Sequence, residues 1–385
     1  MVRNAKESLC NYRDRKDYKE LEELHKDWLN TISSIKDEGA INQRLVDSIR
    51  VIGATCNHIA AKKYSKFNFE FDYIIMDESG KATVAESLVP IVLGNNLIYV
   101  GDHRQLRPML TANREVEKWL REKYKAEAID LDGFDEYFNR PSLFEEVIGS
   151  IDDGYKTQLT ECRRMSSLQV HLTSKCFYES EGDEPIEYVE RPQENEHNLP
   201  LSIGGSIFMI DIGSEYNNEK DGQSSYNKVS VDVIADLLAK LDKYNKMSDY
   251  SVGLITAYSA QYRRLRSRIR KQKLKNIRDW NKKNDEKFTV SVIDRFQGLE
   301  RDVVIVDLVK SGTDLSLGFL ETPNRINVGL SRQKRLLIIV GDYYGVINAR
   351  TRRNLNGQKC ALQEYLKMIP KKCVVDAKEL KTLFK

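Results

Sequence analysis

A chain of 385 residues, 41% of them hydrophobic, is long enough for two domains with cores of their own. Its formal charge of +3 against a charged fraction of 31% leaves a nearly balanced surface, which excludes recognition of a polyanion by global charge and confines it to local basic patches. No run approaches about 18 uninterrupted apolar residues, the N-terminus is too polar for a secretory signal, and the six cysteines (Cys10, Cys56, Cys162, Cys176, Cys360, Cys373) show neither a Cys-x-x-Cys pair nor zinc spacing, so the sequence reads as soluble, cytoplasmic and reduced, with no membrane partner.

The first forty-odd residues are highly charged, and Leu21, Leu24, Trp28, Leu29 and Ile32 recur at helical spacing, which predicts one or two amphipathic helices. From Arg50 the pattern changes to short apolar runs: "VIGAT", "FDYIIM" and "NLIYVG", then, after the helix-like "SLFEEVIGSI", "SIFMIDI", "VGLITA", "FTVSVID", "DVVIVDLV" and "RLLIIVGD". Apolar runs without polar alternation are what strands buried on both faces of a parallel sheet require. Two polar segments, "ESEGDEPIEYVERPQENEHN" and "SEYNNEKDGQSS", read as exposed loops. The tail "GQKCALQEYLKMIPKKCVVDAKELKTLF" reads as a closing helix with a short docking end, and the aromatic pair in "SKCFYES" as core packing.

Ligands of open parallel sheets bind beyond the carboxyl ends of the strands, and the polar residues of this sequence collect there. "YIIM" is followed by Asp77-Glu78, "LIYV" by Gly101 to Gln105, "VGLI" by Thr256 to Gln261, and "VSVI" by Asp294 to Glu300. Gln105, Arg164, Gln261, Gly298, Glu300 and Arg332 are expected to face one cleft with the acidic pair. An Asp directly after an apolar strand suits magnesium held through water, and an adjoining Glu suits activation of a water for phosphoryl transfer. A solvated acidic pair capping a strand is the plain alternative. Gly80-Lys81 is not a phosphate loop, because Gly-x-x-x-x-Gly-Lys-[Ser/Thr] is needed to wrap phosphates in backbone N–H groups and the residue five before Gly80 is Ile75, inside a strand; no Gly-Lys-Ser or Gly-Lys-Thr occurs elsewhere.

Taken together, "IIMDESGKA", "VGDHRQLRPML", "LTECRRM", "VGLITAYSAQ", "VSVIDRFQGLERDVVIVDLV" and "NRINVGLSRQKRLLIIVGD" resemble motifs II, III, IV, the segment before V, V and VI of the superfamily 1B helicases, the group of the nonsense-mediated-decay helicases. The resemblance runs from Arg50 to Asp342 in the family's order. It implies an α/β fold of two RecA-like domains, the first lacking its N-terminal side, with the cofactors ATP and Mg2+ and single-stranded DNA or RNA as partner. By that resemblance Asp77 holds magnesium, Glu78 is the general base, Gln105 senses the γ-phosphate, Arg164 and Arg332 stabilise the transferring phosphoryl group, and Gly298 and Glu300 contact nucleotide. Arg163 stands at a nucleotide-binding position where the family usually has an aromatic residue, which departs from base stacking. Thr55, Thr256, Tyr258 and Ser259 would touch nucleic acid, with capping of strand or helix ends as the alternative. The basic run Arg263 to Lys283, with Trp280, would track phosphates or form a solvated helix face, for which Leu265, Ile269 and Leu274 supply the inner side.

The expected organisation is residues 1–48 as an amphipathic helical segment, 49–152 as a partial first RecA-like domain, 153–350 as the second, and 351–385 as a C-terminal helix and tail. Motif I is absent from the sequence, so the chain reads as the C-terminal part of an ATP-dependent helicase, unable to hydrolyse ATP without the missing N-terminal part that carries the phosphate loop. A non-hydrolysing binding module derived from a helicase is the alternative, and a phosphate loop supplied by a separate chain is a third arrangement.

Overall fold

The computed structural model describes residues 16–34, 38–65, 67–108, 142–191, 196–202, 204–277, 287–313, 315–355 and 357–384. The chain falls into two compact units, residues 1–76 with 84–99, and residues 77–83 with 100–385.

The smaller unit contains helices α1 (Lys16–Ser34), α2 (Glu38–Ser48) and α3 (Cys56–Ile59), strand β1 (Phe71–Met76), α4 (Val84–Ile91) and β2 (Gly94–Tyr99). The amphipathic pattern of the first residues does give helices, yet Leu21, Leu24, Trp28 and Leu29 remain exposed. "VIGAT" is not a strand: residues 51–55 run as coil into α3, whose N-cap Thr55 accepts the His58 N–H at 3.2 Å. β1 and β2 pair in parallel, Ile75 opposite Ile98. They are not buried on both faces as expected, since Tyr73, Ile75, Leu97 and Ile98 are exposed; a two-stranded sheet has too little area to cover both of its sides.

The larger unit is built on a six-stranded, all-parallel sheet in the order β12 (Val374–Asp376), β5 (Ile207–Asp211), β11 (Gln333–Gly341), β10 (Arg301–Asp307), β8 (Val252–Thr256), β9 (Phe288–Val292). In chain order its elements are α5 (Leu143–Ser150), β3 (Glu161–Cys162), α6 (Ser167–Thr173), β4 (Glu187–Tyr188), β5 (Ile207–Asp211), β6 (Glu219–Asp221), β7 (Ser224–Tyr226), α7 (Lys228–Leu241), β8 (Val252–Thr256), α8 (Ser259–Arg270), β9 (Phe288–Val292), α9 (Ile293–Phe296), β10 (Arg301–Asp307), α10 (Pro323–Leu330), β11 (Gln333–Gly341), α11 (Tyr343–Asn348), α12 (Arg352–Leu355), α13 (Ala361–Met368) and β12 (Val374–Asp376). Helices alternate with the main strands, and Ile207–Ile210, Val303–Ile305 and Leu336–Val340 lose essentially all solvent contact, which requires cover on both sheet faces. Each such side chain contributes roughly 1.5–3 kcal/mol by leaving water, so this sheet is the stable part of the molecule. The fold class is therefore α/β, built on the parallel sheet that the unbroken apolar runs predict.

Three segments take forms more definite than their sequence pattern predicts. "SEYNNEKDGQSS" is an antiparallel hairpin, β6–β7, turned at Gly222 with φ +61°. The C-terminal tail supplies an edge strand, β12, paired with β5. α8 ends at Arg270, short of the whole basic run; Leu265, Ile269 and Leu274 are all buried, and Trp280 lies outside the described residues. The division between units also departs from a boundary at residue 152: the turn 77–83 and the segment from residue 100 pack with the larger unit, through the polar contacts that follow.

Candidate active site

The turn after β1 is where the acidic pair sits. Asp77 Oδ1 accepts the Glu78 N–H at 2.9 Å, and Glu78 has a left-handed backbone, φ +53°, a conformation uncommon for a residue with a Cβ. Two amides of this segment are engaged internally: Ser79 N–H donates to Val100 O at 3.0 Å and Lys81 N–H to Glu78 O at 3.1 Å. They form a turn, and no phosphate cradle. Gly101 is required beside it, because a Cβ there would lie 2.8 Å from Ser79 Oγ. The two loops, 77–81 and 101–105, are thereby held against each other.

The second loop delivers Gln105. Its Nε2 donates to Asp102 Oδ2 at 2.8 Å, and its Oε1 accepts from the Arg332 guanidinium. Arg332 follows α10 and is 3% exposed; it also donates to Val328 O at 3.3 Å. Burial, and then the like charge of Arg164, lower its pKa, while Glu78, Tyr178 and Asp102 act the other way. Arg164 donates to Ser331 O at 3.2 Å and pairs with Glu300 at 2.5 Å, and Glu300 also faces Lys334 at 3.5 Å. Gln297 Nε2 donates to Glu78 Oε2 at 3.1 Å. An exposed carboxylate, an amide and two guanidinium groups thus gather around one point. The like charges of the two guanidiniums act on each other, a repulsion that a bound anion would relieve.

Several residues that the sequence did not single out build this place. Asn324 Nδ2 donates to the carbonyls of His103 (2.8 Å) and Gln105 (2.7 Å), and Asn327 Nδ2 to Arg104 O (3.0 Å). The two asparagines are three apart on α10, so they share a helix face, a spacing legible in "PNRIN". Arg104 grips Asp183 through Nε and Nη2, at 2.5 and 3.1 Å, and the Asp183 bond holds its pKa up. Asp183 belongs to a segment expected to be a plain exposed loop. Tyr178, read as a core aromatic, donates its hydroxyl to Asp102 Oδ2; burial first, then the Asp102 carboxylate, push that hydroxyl far above the ordinary tyrosine range. Nothing in "SKCFYES" marks it apart from Phe177, which does pack in the core.

The remaining candidates scatter. Gly298 is exposed with φ +78°, where a side chain would be strained. Arg163 is exposed and paired with Glu161 at 2.5 Å. Gln261 does not face the cleft: it is fully buried, bonding the Asn227 N–H through Oε1 (2.8 Å) and Asp307 through Nε2 (2.6 Å). Two of the four residues expected to touch nucleic acid are likewise beneath the surface. Thr256 is fully buried at the end of β8, and Tyr258, 4% exposed, donates to Leu317 O at 3.3 Å and lies beside Phe319. Ser259 is exposed and bonded to Ser224, and Thr55 is a helix cap. In the basic run Arg263 and Arg264 are tied to Asp221 and Arg268 to Asp232, with Arg264 also over the Tyr226 ring at 3.4 Å; these three charges face acidic partners on the protein.

A family model described as an AAA domain matches residues 140–344, more than half the chain, and a second model with the same description matches residues 2–113. The chain belongs to this family, in a superfamily 1, nonsense-decay-helicase-like branch, and several of the relatives it matches are named as ATP-dependent helicases. It is 28% identical over 293 residues to regulator of nonsense transcripts 1 of Dictyostelium discoideum, covering 76% of this chain and 20% of that protein. It is 28% identical over 304 residues to the ATP-dependent helicase NAM7 of Saccharomyces cerevisiae (77% and 28% covered), and 26% identical over 323 residues to an uncharacterized ATP-dependent helicase of Methanocaldococcus jannaschii (82% and 42% covered). The chain therefore spans from a fifth to about two-fifths of the length of these relatives.

Proposed function

We propose that this chain carries the hydrolytic residues of an ATP-dependent helicase that moves along single-stranded DNA or RNA and opens duplexes. The observation that carries the reading is the gathering of Glu78, Gln105, Arg164 and Arg332 around one point, with the two arginines supplied from segments after Cys162 and after α10. In this reading Glu78 takes the proton of the attacking water, Gln105 directs that water or the terminal phosphoryl oxygen with an amide N–H, and the guanidiniums stabilise charge that spreads over the phosphoryl oxygens. Gly298, Glu300 and Arg163 would bind the nucleotide's other parts, once Glu300 exchanges Arg164 for ligand.

The donor set fits magnesium and not an all-protein metal site. Among the described residues no group of three or more His, Cys, Asp or Glu could hold a metal, whereas Mg2+ keeps several waters and takes one or two carboxylates together with substrate phosphates. Asp77 is the exposed carboxylate placed for that role; the ion would neutralise phosphate charge when bound. For nucleic acid, Thr55 and Ser259 are the candidates at the surface, while Thr256 and Tyr258 would support it from below.

The chain alone is expected not to turn over ATP, because none of its segments supplies the lysine and amide cradle of a phosphate loop. The test is ATP turnover by the chain with and without single-stranded DNA and RNA, with Glu78→Gln as the blank. Turnover only after a phosphate-loop segment is joined ahead of the chain supports the reading. Glu78-dependent turnover by the chain alone overturns the need for a phosphate loop, and the stimulating polymer then names the substrate; no turnover in the joined protein overturns the hydrolytic reading.

A further inference from the structure

The side-chain amide of Gln105 has two ends of nearly equal shape and opposite chemistry, so its neighbours must select which end meets Arg332. An oxygen there accepts from the guanidinium; a nitrogen would set donor against donor. Asp102 makes the complementary selection on the other side, since its carboxylate takes the Gln105 Nε2–H at 2.8 Å and would repel Oε1. The orientation of Gln105 therefore depends on what fixes Asp102.

Three donors do so. The Arg104 N–H binds Oδ1 at 2.8 Å, and Gln105 Nε2–H and Tyr178 O–H bind Oδ2. The first two lie within three positions of Asp102 in the chain and move with it, whereas Tyr178 comes from 76 positions away. Its hydroxyl is itself held, because Asn327 Nδ2 donates to it at 3.2 Å while also reaching Arg104 O. The backbone shows how the side chain gets there. α6 continues into a π-helical turn, Ser174–Tyr178, whose wider winding changes the phase of the helix. Phe177 goes into the core, 5.9 Å from the ring of Tyr365, and Tyr178 goes to Asp102.

We propose that Tyr178 is a positioning residue for Gln105: through Asp102 it holds the amide with Oε1 on Arg332 and leaves one Nε2–H to face the reacting phosphoryl group or its water. The use of that N–H rests on the hydrolytic reading above, but the geometry does not. A phenylalanine would fill the same space, so Tyr178→Phe removes the bond to Asp102 and the one from Asn327, which keeps Arg104 O, and little else.

The experiment reads the side-chain amide signal of Gln105 by NMR in the full chain with glutamine labelled at the side-chain nitrogen, the signal assigned by its loss in Gln105→Leu. Tyr178→Phe is expected to move that signal toward the position of solvent-exposed glutamine amides and to quicken its exchange, with little change in Tm. Phe177→Leu, a packing change one residue away, is expected to lower Tm and leave the signal in place. An unmoved signal in Tyr178→Phe, or equal movement in both variants, overturns the proposal. Adding Mg-ADP with fluoroaluminate to the protein with a phosphate-loop segment joined ahead of the chain separates the two claims: a Gln105 signal that ignores it there counts against the hydrolytic reading, while the comparison of the variants without nucleotide still decides the role of Tyr178.

Discussion

Two polar clusters in the larger unit are made of the same parts and behave differently. At the site, Asp102 and Gln105 bond each other and Gln105 reaches Arg332, on which the exposed Glu78 acts in turn. At the end of β10, Asp307 and Gln261 bond each other and are closed in by Asn227, Ser230 and the N–H of Val309. Both place an aspartate after an apolar strand and a glutamine in a recognisable motif. Only the first has charge at the edge of water; the second has no exposed member and fixes the ends of α8, β10 and α7 to one another. Burial pushes the Asp307 carboxyl up to about 7, against the bonds from Gln261, Val309 and Ser230. An Asp–Gln pair at a strand end is thus chemistry in one place and joinery in the other, and solvent access decides which.

The sharpest way to break this contrast is through turnover, measured with the phosphate-loop segment joined. Glu78→Gln is expected to cut kcat by roughly a hundredfold or more, and Arg332→Ala by about the same, each with the melting temperature little changed. A small loss in either would remove the site from catalysis.

The second cluster should respond in the opposite sense. Gln261→Ala strips a buried amide from Asp307 and from the Asn227 N–H, and is expected to lower unfolding free energy by about 2–4 kcal/mol in denaturant titration. Gln105→Ala is expected to stay within about 1 kcal/mol. Equal costs would show that the two glutamines do the same work.

The pH dependence of stability sharpens the comparison further. A carboxyl whose folded pKa lies near 7 and whose unfolded pKa is near 4 binds its proton more tightly in the native state, so its stabilisation is complete below about pH 4 and is lost as the pH rises to about 7. The Tm of Asp307→Asn should fall less than that of the wild type between those limits. Parallel profiles would place the titration elsewhere. The smallest effect is expected from Arg263→Ala, whose partner Asp221 is solvent-exposed: within about 0.5 kcal/mol of stability, and with little change in the salt dependence of nucleic-acid binding, measured by anisotropy. A marked drop in the salt slope would return Arg263 to the phosphate-tracking residues.

The sequence by itself determined five of the six strands of the larger sheet, all but β12, and the turn residues that follow them, because strands covered on both faces need unbroken apolar runs and sheet geometry sends the next polar residues to one rim. Hence "DVVIVDLV" and "RLLIIVGD" fall on β10 and β11, and Glu78, Gln105, Arg164 and Arg332 were legible as motif positions. The same logic failed for "VIGAT", which is coil, and for the two strands of the smaller unit, whose apolar residues are exposed. Only the tertiary structure decided which polar residues meet water. Thr256, Tyr258 and Gln261 look like surface motif residues in one dimension and are buried, while Tyr178, Asn324, Asn327 and Asp183 look like packing or loop residues and hold the 102–105 loop. Local sequence sets periodicity and turn chemistry over a few residues. A hydrogen bond from Tyr178 to Asp102 spans 76 positions and exists only once the π turn, α10 and the loop have packed together, which no local pattern encodes.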